Sequence, residues 1–285
     1  MKVAHSDRFT REDVVGKYRL LNHIARSQSC DVWEAIHTGT NRRHALKLLL
    51  PGMKNRSEGT KALRFEYSVG SSLKHAAVIR MDAFQQEGGT VFLVMEYFPA
   101  PSMKHQIRNR GRELYSQISA IVSKAAAGLD HLHGCGWIHR DIKPENYLVS
   151  DEGDVRLIDF SLAQKPRRWW NSFLGGGSQI QGTRTYLSPE QIRKKPLDAR
   201  ADIYSFGCVL FELVSGKPPY SAPKSSELLN RHLKAPIPSL KAAVPTVSQG
   251  FSDLVEEMLA KEAEERPDSM EEVRERLGGV AVFEK

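Results

Sequence analysis

A short stretch in the middle of the chain brings together side chains of unusual chemical variety. His139, Arg140 and Asp141 are followed closely by Lys143 and Asn146. Taken singly, each of these residues is typical of a solvated loop. Together, the oxygens of Asp141 and Asn146 suit a divalent cation such as Mg²⁺, and the lysine suits phosphate oxygens. The stretch therefore predicts a site for a phosphate and a metal ion.

Predicted secondary structure surrounds this stretch on both sides. A helical pattern at residues 116–133 precedes it, with apolar residues repeating along one face, and glycines stop the helix at Gly134 and Gly136. A short apolar run at residues 147–149 follows it. A second carboxylate, Asp159, comes directly after the β-type run 155–158. We expect the loop and Asp159 to be positioned by these elements.

The predicted elements change in character along the chain. From residue 18 to about 98 most patterns are short β-type runs, interrupted by one helical pattern, and from residue 102 onward helices dominate. The predicted strands are 18–24, 31–37, 44–50, 78–84 and 90–97, and the other predicted helices are 61–73, 201–215, 225–234, 248–260 and 269–277. Strands and helices in separate blocks are typical of an α+β fold, here with two unequal lobes. Pro99 and Pro101 mark the predicted joint.

The composition is that of a folded globular protein. The chain has 285 residues, of which 40% are hydrophobic and 26% charged, and this excludes disordered and collagen-like classes. Cys30, Cys135 and Cys208 lack the paired spacing of a disulfide framework or a thiolate zinc site. No apolar run reaches the roughly 20 residues of a membrane span, and no secretory signal precedes the first element. We expect a cytoplasmic protein.

The net charge of +7, from 41 basic and 34 acidic residues, raises the question of an acidic partner. The basic residues are mostly dispersed, and no basic helix carries interleaved aromatic residues that could stack on bases. Nucleic acid is therefore not expected as the primary partner.

Taken in order, the motifs of this chain resemble those of the eukaryotic-type (Hanks-type) serine/threonine protein kinases of the bacterial branch. The similarity covers about residues 18–277. The motifs are Lys47 at the end of a strand, Glu66, residues 93–97, residues 139–141 with Asn146, residues 159–161, residues 182–190, Asp202 with residues 204–207, and Arg266 with Pro267. The resemblance implies an α+β, bilobal protein kinase fold, with a small antiparallel-sheet N-lobe carrying one main helix and a larger helical C-lobe. The implied boundaries are an N-terminal extension at 1–17, the N-lobe and hinge at 18–98, the C-lobe at 99–279 and a tail at 280–285.

The resemblance also implies a nucleotide site that takes ATP with Mg²⁺, or Mn²⁺ as an alternative ion. Lys47 would contact the α and β phosphates, with Glu66 as its ion-pair partner, while Asn146 and Asp159 would hold the metal. Adenine would lie between apolar side chains and bond to the backbone that follows the gatekeeper Met95. The implied nucleotide-binding residues are Ile24, Ala25, Val32, Ala45, Lys47, Met95, Glu96, Phe98, Leu148 and Asp159.

The same resemblance implies the reaction. Asp141 would orient the acceptor hydroxyl and take its proton late, and Lys143 would lie near the γ-phosphate. Lys143 together with Thr183 favours serine and threonine acceptors on protein substrates, and autophosphorylation is expected. A regulatory protein or a dimer partner remains an open alternative for control.

Phosphorylation of the long segment between Asp159 and Pro189 is the predicted route of regulation. This segment has no sustained periodicity. Arg140 matches the residue that receives an activation-loop phosphate in the family. Ser178 is the first candidate for that phosphate and Ser172 the second.

The phosphate-covering loop departs from the family pattern. Ala25, Ser27 and Cys30 stand where the family has three glycines, which allow the backbone to approach phosphates closely. These replacements are small, but we expect a stiffer loop with a thiol near the nucleotide.

Two further departures concern neighbouring elements. Ser161 replaces the glycine after Phe160, which restricts the backbone flip by which many kinases switch. Gly70, one turn after Glu66, stands where the family usually has a bulky apolar residue. Glycine there removes packing and costs the helix up to about 1 kcal/mol relative to alanine. We therefore expect a helix whose Glu66 is poorly held.

These departures leave a second hypothesis open, that the chain is a catalytically impaired pseudokinase acting as a nucleotide-binding or protein-interaction module. The charged residues favour an active enzyme, because Lys47, Glu66, Asp141, Asn146 and Asp159 are all present. A small-molecule kinase is disfavoured, since it should lack the 182–190 segment and Arg266.

Overall fold

The computed structural model of the chain describes residues 9–52, 55–109, 112–166 and 182–284. The chain divides into two compact units. The first consists of Met1–Lys74 with Ile79–Pro99, and the second of His75–Val78 with Ala100–Lys285.

The first unit is built on a six-stranded antiparallel sheet in the order β1-β2-β3-β4-β6-β5. Its strands are β1 (Val14–Val15), β2 (Tyr18–Arg26), β3 (Cys30–His37), β4 (Arg43–Leu49), β5 (Met81–Glu87) and β6 (Thr90–Glu96). Most positions of the central strands β3, β4 and β6 are buried. Its core includes Leu20, Trp33, Leu46, Leu48 and Phe92.

One helix, α1 (Arg56–Gly70), belongs to this unit. Leu63, Glu66 and Val69 are buried along one side of it, at the spacing of three to four residues that a helix turn brings onto one face. The buried face of α1 thus carries a carboxylate among apolar residues.

The second unit is mainly helical and contains one small hairpin. Its helices are α2 (Met103–Asn109), α3 (Arg112–Gly134), α4 (Pro189–Ile192), α5 (Arg200–Ser215), α6 (Ser225–Lys234), α7 (Leu240–Ala243), α8 (Gln249–Met258) and α9 (Met270–Gly279), and its hairpin strands are β7 (Tyr147–Val149) and β8 (Val155–Leu157). Every residue of α5 from Ala201 to Val214 is buried, as expected for a helix that is apolar all round. This helix is the centre of the unit.

The predicted apolar face of α3 is confirmed. Ile118, Ile121, Val122, Ala125, Leu129 and Leu132 are all buried. The predicted class, an α+β fold with an antiparallel-sheet part and a helical part, is confirmed as well.

Several predicted element boundaries are wrong. Helix α3 begins at Arg112, ahead of the predicted residue 116. The run at 78–84 is not one strand, because β5 begins only at Met81 and Val78 instead makes a single bridge with Leu157 in the second unit. Helix α1 begins at Arg56, ahead of the predicted residue 61, because its first turn is polar and carries no apolar periodicity.

None of the described helices is both long and apolar enough to cross a membrane. The three cysteines are free thiols, with Cys30 and Cys208 buried and Cys135 exposed.

Candidate active site

The loop that carries Asp141 is hydrogen-bonded to a buried carboxylate on α5, that of Asp202. Asp202 accepts the backbone N–H of His139 at 2.6 Å and that of Arg140 at 2.8 Å. His133 on α3 lies 2.9 Å from the same carboxylate through Nε2. Arg140 has φ of 70°, a left-handed conformation that turns the chain sharply. Two backbone hydrogen bonds on a buried acceptor therefore fix the course of the loop.

The pKa of Asp202 reflects two opposed effects. Burial raises the pKa of this carboxyl, but hydrogen bonds and charge from His133, His139 and the backbone of Arg140 outweigh burial and hold the pKa below its ordinary value. The carboxylate is therefore ionised at neutral pH, as its role as a double acceptor requires.

The carboxylate of Asp141 is oriented by two other residues of the site. Its Oδ1 accepts the backbone N–H of Thr183 at 2.9 Å and the Thr183 hydroxyl at 3.2 Å. Its Oδ2 accepts Lys143 Nζ at 2.5 Å, and the same ammonium donates to Thr183 Oγ1 at 3.0 Å. The predicted group Asp141, Lys143 and Thr183 is thus brought together as a closed triangle of hydrogen bonds.

The side-chain amide of Asn146 is hydrogen-bonded through its nitrogen. It lies in a short 3₁₀ turn, Pro144–Asn146, and its amide nitrogen donates to the backbone oxygen of Asp141 at 2.8 Å. Because the nitrogen faces Asp141, the amide oxygen is the atom left to bind a cation. The sequence prediction of a metal-binding role for Asn146 agrees with this orientation.

Asp159 is brought near Asn146 by the β7–β8 hairpin. The strands pair antiparallel, with Tyr147 opposite Leu157, so the residue before β7 and the residues after β8 lie at the same end. The backbone N–H of Ile158 donates to Asn146 O at 2.9 Å, and Asp159 has φ of 66°. An amide oxygen and a carboxylate at one end of a hairpin fit a hard cation such as Mg²⁺, with nucleotide oxygens and water as further ligands.

His139 ties the loop to the segment of Asp159. Its Nδ1 accepts the backbone N–H of Asp141 at 3.3 Å, and its Nε2 lies 3.2 Å from the backbone oxygen of Ile158. This pattern assigns the proton to Nε2, since Nδ1 is an acceptor. The ring also meets Phe160 edge to face, with centroids 5.7 Å apart. His139 therefore connects the Asp141 loop to the segment that follows β8.

The segment Gly182–Glu190 is anchored to the same loop. Gly182 has φ of 103°, a conformation that favours glycine, and a β-carbon there would make a tight contact of 3.1 Å with Arg140 O. Gln191, in the capping box of Ser188 at the start of α4, donates to Arg140 O at 2.9 Å. The segment cannot shift without disturbing the loop.

A buried ion pair completes this anchor. Arg266 donates to both oxygens of Glu190, at 2.8 and 2.9 Å. Its guanidinium also donates to the backbone oxygens of Ala260 and Arg200, which satisfies donors that burial would otherwise leave unpaired.

One buried cluster near this segment was missed by sequence reasoning. Lys104 of α2 donates to Glu212 Oε1 at 2.5 Å, and the Tyr186 hydroxyl donates to Glu212 Oε2 at 2.6 Å. Burial and the Glu212 charge raise the pKa of Tyr186, which keeps the hydroxyl protonated. The signal available in the sequence was Glu212 itself, a carboxylate inside the most apolar run of the chain.

In the first unit, the predicted pair of Lys47 and Glu66 is formed. Lys47 Nζ, on β4, lies 2.8 and 2.7 Å from the two carboxylate oxygens of Glu66 on α1. The Glu66 side chain is 3% exposed and that of Lys47 is 16% exposed. The ammonium is thereby fixed while part of it remains accessible to a ligand.

The expectation that Glu66 is poorly held is wrong in this structure. The space next to Gly70 is filled by Met81 of β5, whose sulfur and Cγ a β-carbon at Gly70 would overlap. Met81 is itself 5% exposed. Its side chain on β5 therefore fills the space that the bulky apolar residue at the position of Gly70 fills in the family pattern. The local pattern around Gly70 could not reveal this, because Met81 is supplied by another element.

The predicted adenine-contacting residues of the first unit lie on neighbouring strands. Ala25 pairs with Val32 across β2 and β3, and Ala45 pairs with Met95 across β4 and β6. Ile24, next to Ala25 on β2, is exposed.

The remaining predicted adenine contacts lie at or beyond strand ends. Glu96 ends β6, and its backbone N–H donates to Arg80 O at 3.0 Å. Phe98 follows in the same unit, and Leu148 is the middle residue of β7 in the second unit. Their contacts with adenine stay predictions.

The regulatory predictions fall elsewhere. Ser172 and Ser178 lie outside the described residues, so the assignment of either as a phosphorylation site stays a prediction.

Comparison with known proteins agrees with this geometry. The Protein kinase domain family matches residues 18–276. The probable serine/threonine-protein kinase pknA2 of Bifidobacterium longum is 27% identical over 272 residues, which cover 94% of this chain and 36% of that protein. The serine/threonine-protein kinase pkn2 of Myxococcus xanthus is 31% identical over 268 residues, covering 92% of this chain and 32% of that protein.

A third relative, the serine/threonine-protein kinase PknL of Mycobacterium tuberculosis, is 29% identical over 239 residues, covering 84% of this chain and 59% of that protein. The chain therefore spans between a third and three fifths of the length of these relatives. The predicted resemblance is confirmed: with the family match extending over nearly all of its length, this chain belongs to the protein kinase domain family.

Proposed function

We propose that this chain is the catalytic domain of a serine/threonine protein kinase, which transfers the γ-phosphate of ATP to hydroxyl groups of protein substrates and of itself. The observation that carries the proposal is the orientation of the Asp141 carboxylate by Thr183 and Lys143. A carboxylate held in this way, beside an amide and a second carboxylate, has the groups that phosphoryl transfer needs. The names of the three relatives support the same activity.

Phosphoryl transfer depends mostly on positioning and on neutralising charge. Asp141 accepts a hydrogen bond from the acceptor hydroxyl and aims it at the γ-phosphorus. The new phosphorus–oxygen bond forms as the bond to the leaving ADP breaks, and Asp141 takes the hydroxyl proton late in this step. Lys143 stabilises the charge that develops on the transferred group. Because Lys143 also bonds to Thr183 and Asp141, its ammonium is already in place before substrate binds.

Asn146 and Asp159 are the residues that would hold Mg²⁺, whose charge offsets that of the phosphates. Asn146 contributes its amide oxygen, since its nitrogen is committed to Asp141, and Asp159 contributes its carboxylate. Mn²⁺ prefers the same oxygen ligands.

Lys47 and Glu66 have a separate role on the nucleotide. The Lys47 ammonium binds the α and β phosphates as a point charge. Glu66 holds this ammonium in place through two hydrogen bonds. We assign adenine binding to Ile24, Val32, Ala45 and Leu148 and to the backbone of Glu96 and Phe98, with Met95 as the gatekeeper. Ala25 begins the phosphate-covering turn.

We propose that the reaction takes place in the cytoplasm. ATP and a reducing environment for three free thiols suit the cytoplasm. Protein substrates are the expected partners, with a regulatory protein or a second copy as candidates for control, and nucleic acid is not among them.

The test compares phosphate transfer by the wild-type chain, the variant Asp141→Asn and the matched control Asp151→Asn, using labelled ATP, Mg²⁺ and generic acidic and basic proteins. We expect Asp141→Asn to lower transfer by about 10²- to 10⁴-fold, while the exposed Asp151→Asn behaves as wild type. Nucleotide-induced thermal stabilisation should persist in both variants.

Two results would overturn the proposal. Equal transfer by Asp141→Asn and wild type would mean that Asp141 does not aim the hydroxyl. Absence of transfer by the wild-type chain with either Mg²⁺ or Mn²⁺, together with nucleotide-induced stabilisation, would identify a pseudokinase instead.

A further inference from the structure

The turn between β2 and β3 has the place of the phosphate-covering loop but none of its glycines. Ala25, Ser27 and Cys30 stand at those positions, and no residue from 25 to 31 has a positive φ. The turn therefore adopts a backbone path that ordinary L-residues follow without strain. What holds it must be found in its side chains.

The base of the turn is closed by an ion pair. Arg26 and Asp31 are opposite each other in the β2–β3 register. Arg26 Nε donates to Asp31 Oδ1 at 2.6 Å, and an Arg26 Nη donates to Asp31 Oδ2 at 2.9 Å. Two parallel bonds of this kind fix orientation as well as distance. His23 Nε2 lies 3.4 Å from the same carboxylate.

The two partners differ in exposure. Asp31 is fully buried, whereas the side chain of Arg26 is 42% exposed. Burial raises the pKa of Asp31, but the hydrogen bonds and charges of Arg26 and His23 outweigh it, so the pKa lies below its ordinary value. The carboxylate is thus a fixed negative charge that depends on Arg26 for compensation.

The tip of the turn is closed by a hydroxyl. Ser27 Oγ accepts the backbone N–H of Cys30 at 2.9 Å and donates to its backbone oxygen at 3.1 Å. The backbone N–H of Ser27 donates to the same oxygen at 2.8 Å. Cys30 is buried, and its closeness to the nucleotide stays a prediction. The tip is therefore tied to the start of β3.

The turn is also registered to the strand that carries Lys47. The backbone N–H of Leu50 donates to Ser29 O at 2.9 Å, and Val32 pairs with Lys47 across β3 and β4. A turn that is closed at its base and tip and bonded to β4 has little freedom to move relative to Lys47.

We propose that Arg26 and Asp31 are positioning residues that hold the phosphate-covering turn in its binding conformation, replacing glycine flexibility by a side-chain clamp. This inference rests on the proposed function, which assigns the turn to the phosphates of ATP. The clamp acts through the backbone: it lowers the conformational entropy that the turn loses when nucleotide binds. Its loss should therefore weaken nucleotide binding more than it slows transfer from bound nucleotide.

The experiment measures the dissociation constant for ATP by calorimetry, and KM and kcat for ATP with a generic protein substrate. Four chains are compared: wild type, Arg26→Gln, the conservative Arg26→Lys, and the control Arg19→Gln. Arg19 lies on the same strand and pairs with Glu12 at 2.9 Å, away from the turn. Thermal melting verifies that each variant is folded.

We expect Arg26→Gln to raise Kd and KM for ATP by about 5- to 10-fold, with kcat changed by less than about 2-fold. Arg26→Lys keeps the charge but not the two parallel bonds, so it should raise both constants by about 2- to 3-fold. Arg19→Gln should match wild type. A merely structural pair would alter the melting temperature without separating KM from kcat.

The outcomes separate this inference from the proposed function. Wild-type Kd and KM in Arg26→Gln would overturn the clamp, while the loss of transfer in Asp141→Asn would still support the kinase. Conversely, the wild-type chain could transfer no phosphate while Arg26→Gln binds ATP more weakly than the wild type. That result would support the clamp and overturn the proposed kinase activity. A wild-type chain that binds no ATP would overturn both.

Discussion

Asp31 in the first unit and Asp202 in the second are both fully buried aspartates, yet their carboxylates are held in different ways. Asp202 accepts two backbone N–H groups, at 2.6 and 2.8 Å, and contacts a histidine that is itself buried. Among the described residues, the Asp31 carboxylate is bonded to the side chains of Arg26 and His23, each more than a third exposed.

The difference shows two ways of shaping a functional loop. A buried carboxylate that binds backbone dictates the chain path directly, so its removal leaves buried N–H groups without an acceptor. A buried carboxylate that binds half-exposed cations dictates the path only through side chains, which can reorient into water. The 139–146 loop, where the family pattern is kept, uses the first way, and the glycine-free turn uses the second.

Among the changes that compare the two loops, the largest effect should come from Asp202→Ala. The buried N–H of His139 and the part-buried N–H of Arg140 would lose their acceptor, which costs about 3–5 kcal/mol in the free energy of unfolding, and transfer should fall with it. Urea denaturation measures the loss, and Asp198→Ala, which removes a partly exposed carboxylate paired with Arg200, is the control. Asp31→Ala should lose much less stability than Asp202→Ala. Equal losses would remove the distinction between the two loops.

The pH dependence of the free energy of unfolding tests another buried polar group of the second unit, His232. His232 is fully buried, 2.9 Å from the Tyr204 hydroxyl. Burial, aided by the charge of Lys261, lowers the pKa of His232 from its ordinary 6.5 to about 4. The unfolded chain therefore binds this proton first, so stability is complete above pH 6.5 and falls as the pH drops toward 4.

The expected loss over that range is at most about 3 kcal/mol. Unfolding free energies measured at several pH values should show this slope in the wild type and a smaller slope in His232→Gln, whose amide can donate to or accept from the Tyr204 hydroxyl. The contribution of Asp202 has the opposite ionisation and is lost only at lower pH, below the ordinary value of 3.8. An identical slope in the variant would contradict the assignment to His232.

A smaller effect should follow from Gly70→Leu, which tests whether the first unit makes up for its departures by local packing. Because Met81 already occupies the space next to Gly70, the larger side chain should overpack the site and cost about 1–3 kcal/mol. The double variant Gly70→Leu with Met81→Ala should recover part of that loss in thermal denaturation. If Gly70→Leu alone were stabilising, Met81 would not be the compensating residue.

The smallest effect should come from Arg193→Gln. Arg193 pairs with Glu262 at 2.9 Å, with the two side chains 31% and 51% exposed, so its loss should cost less than about 1 kcal/mol. Urea denaturation should separate it clearly from Arg266→Leu, which leaves Glu190 without its buried partner and should cost about 3–5 kcal/mol. Similar values for the two would mean that burial does not set the strength of these pairs.

Much of the candidate site could be predicted from the sequence, because its residues are close together along the chain. The group from His139 to Asn146 lies in one loop, and local spacing alone placed a carboxylate, an ammonium and an amide side by side. The helix at 116–133 and the helix at 225–234 were equally accessible, since apolar periodicity is a local property. The motif order then identified the family.

Contacts between distant elements were less accessible. The partner of Glu66 was known only through the resemblance, and the residue that fills the space at Gly70 was not predicted at all. Arg26 and Asp31 appeared in the sequence as two charges in a loop without glycine, with no sign that one is buried and the other half-exposed.

The sequence by itself determined which chemical groups the protein has, the periodicity of its elements and its family. Only the tertiary structure decided which charges are buried, which partners they have and how firmly each loop is held. The physical reason is that the strength of an ion pair or a hydrogen bond depends on desolvation and geometry, and both are set by side chains that other elements bring from far along the chain.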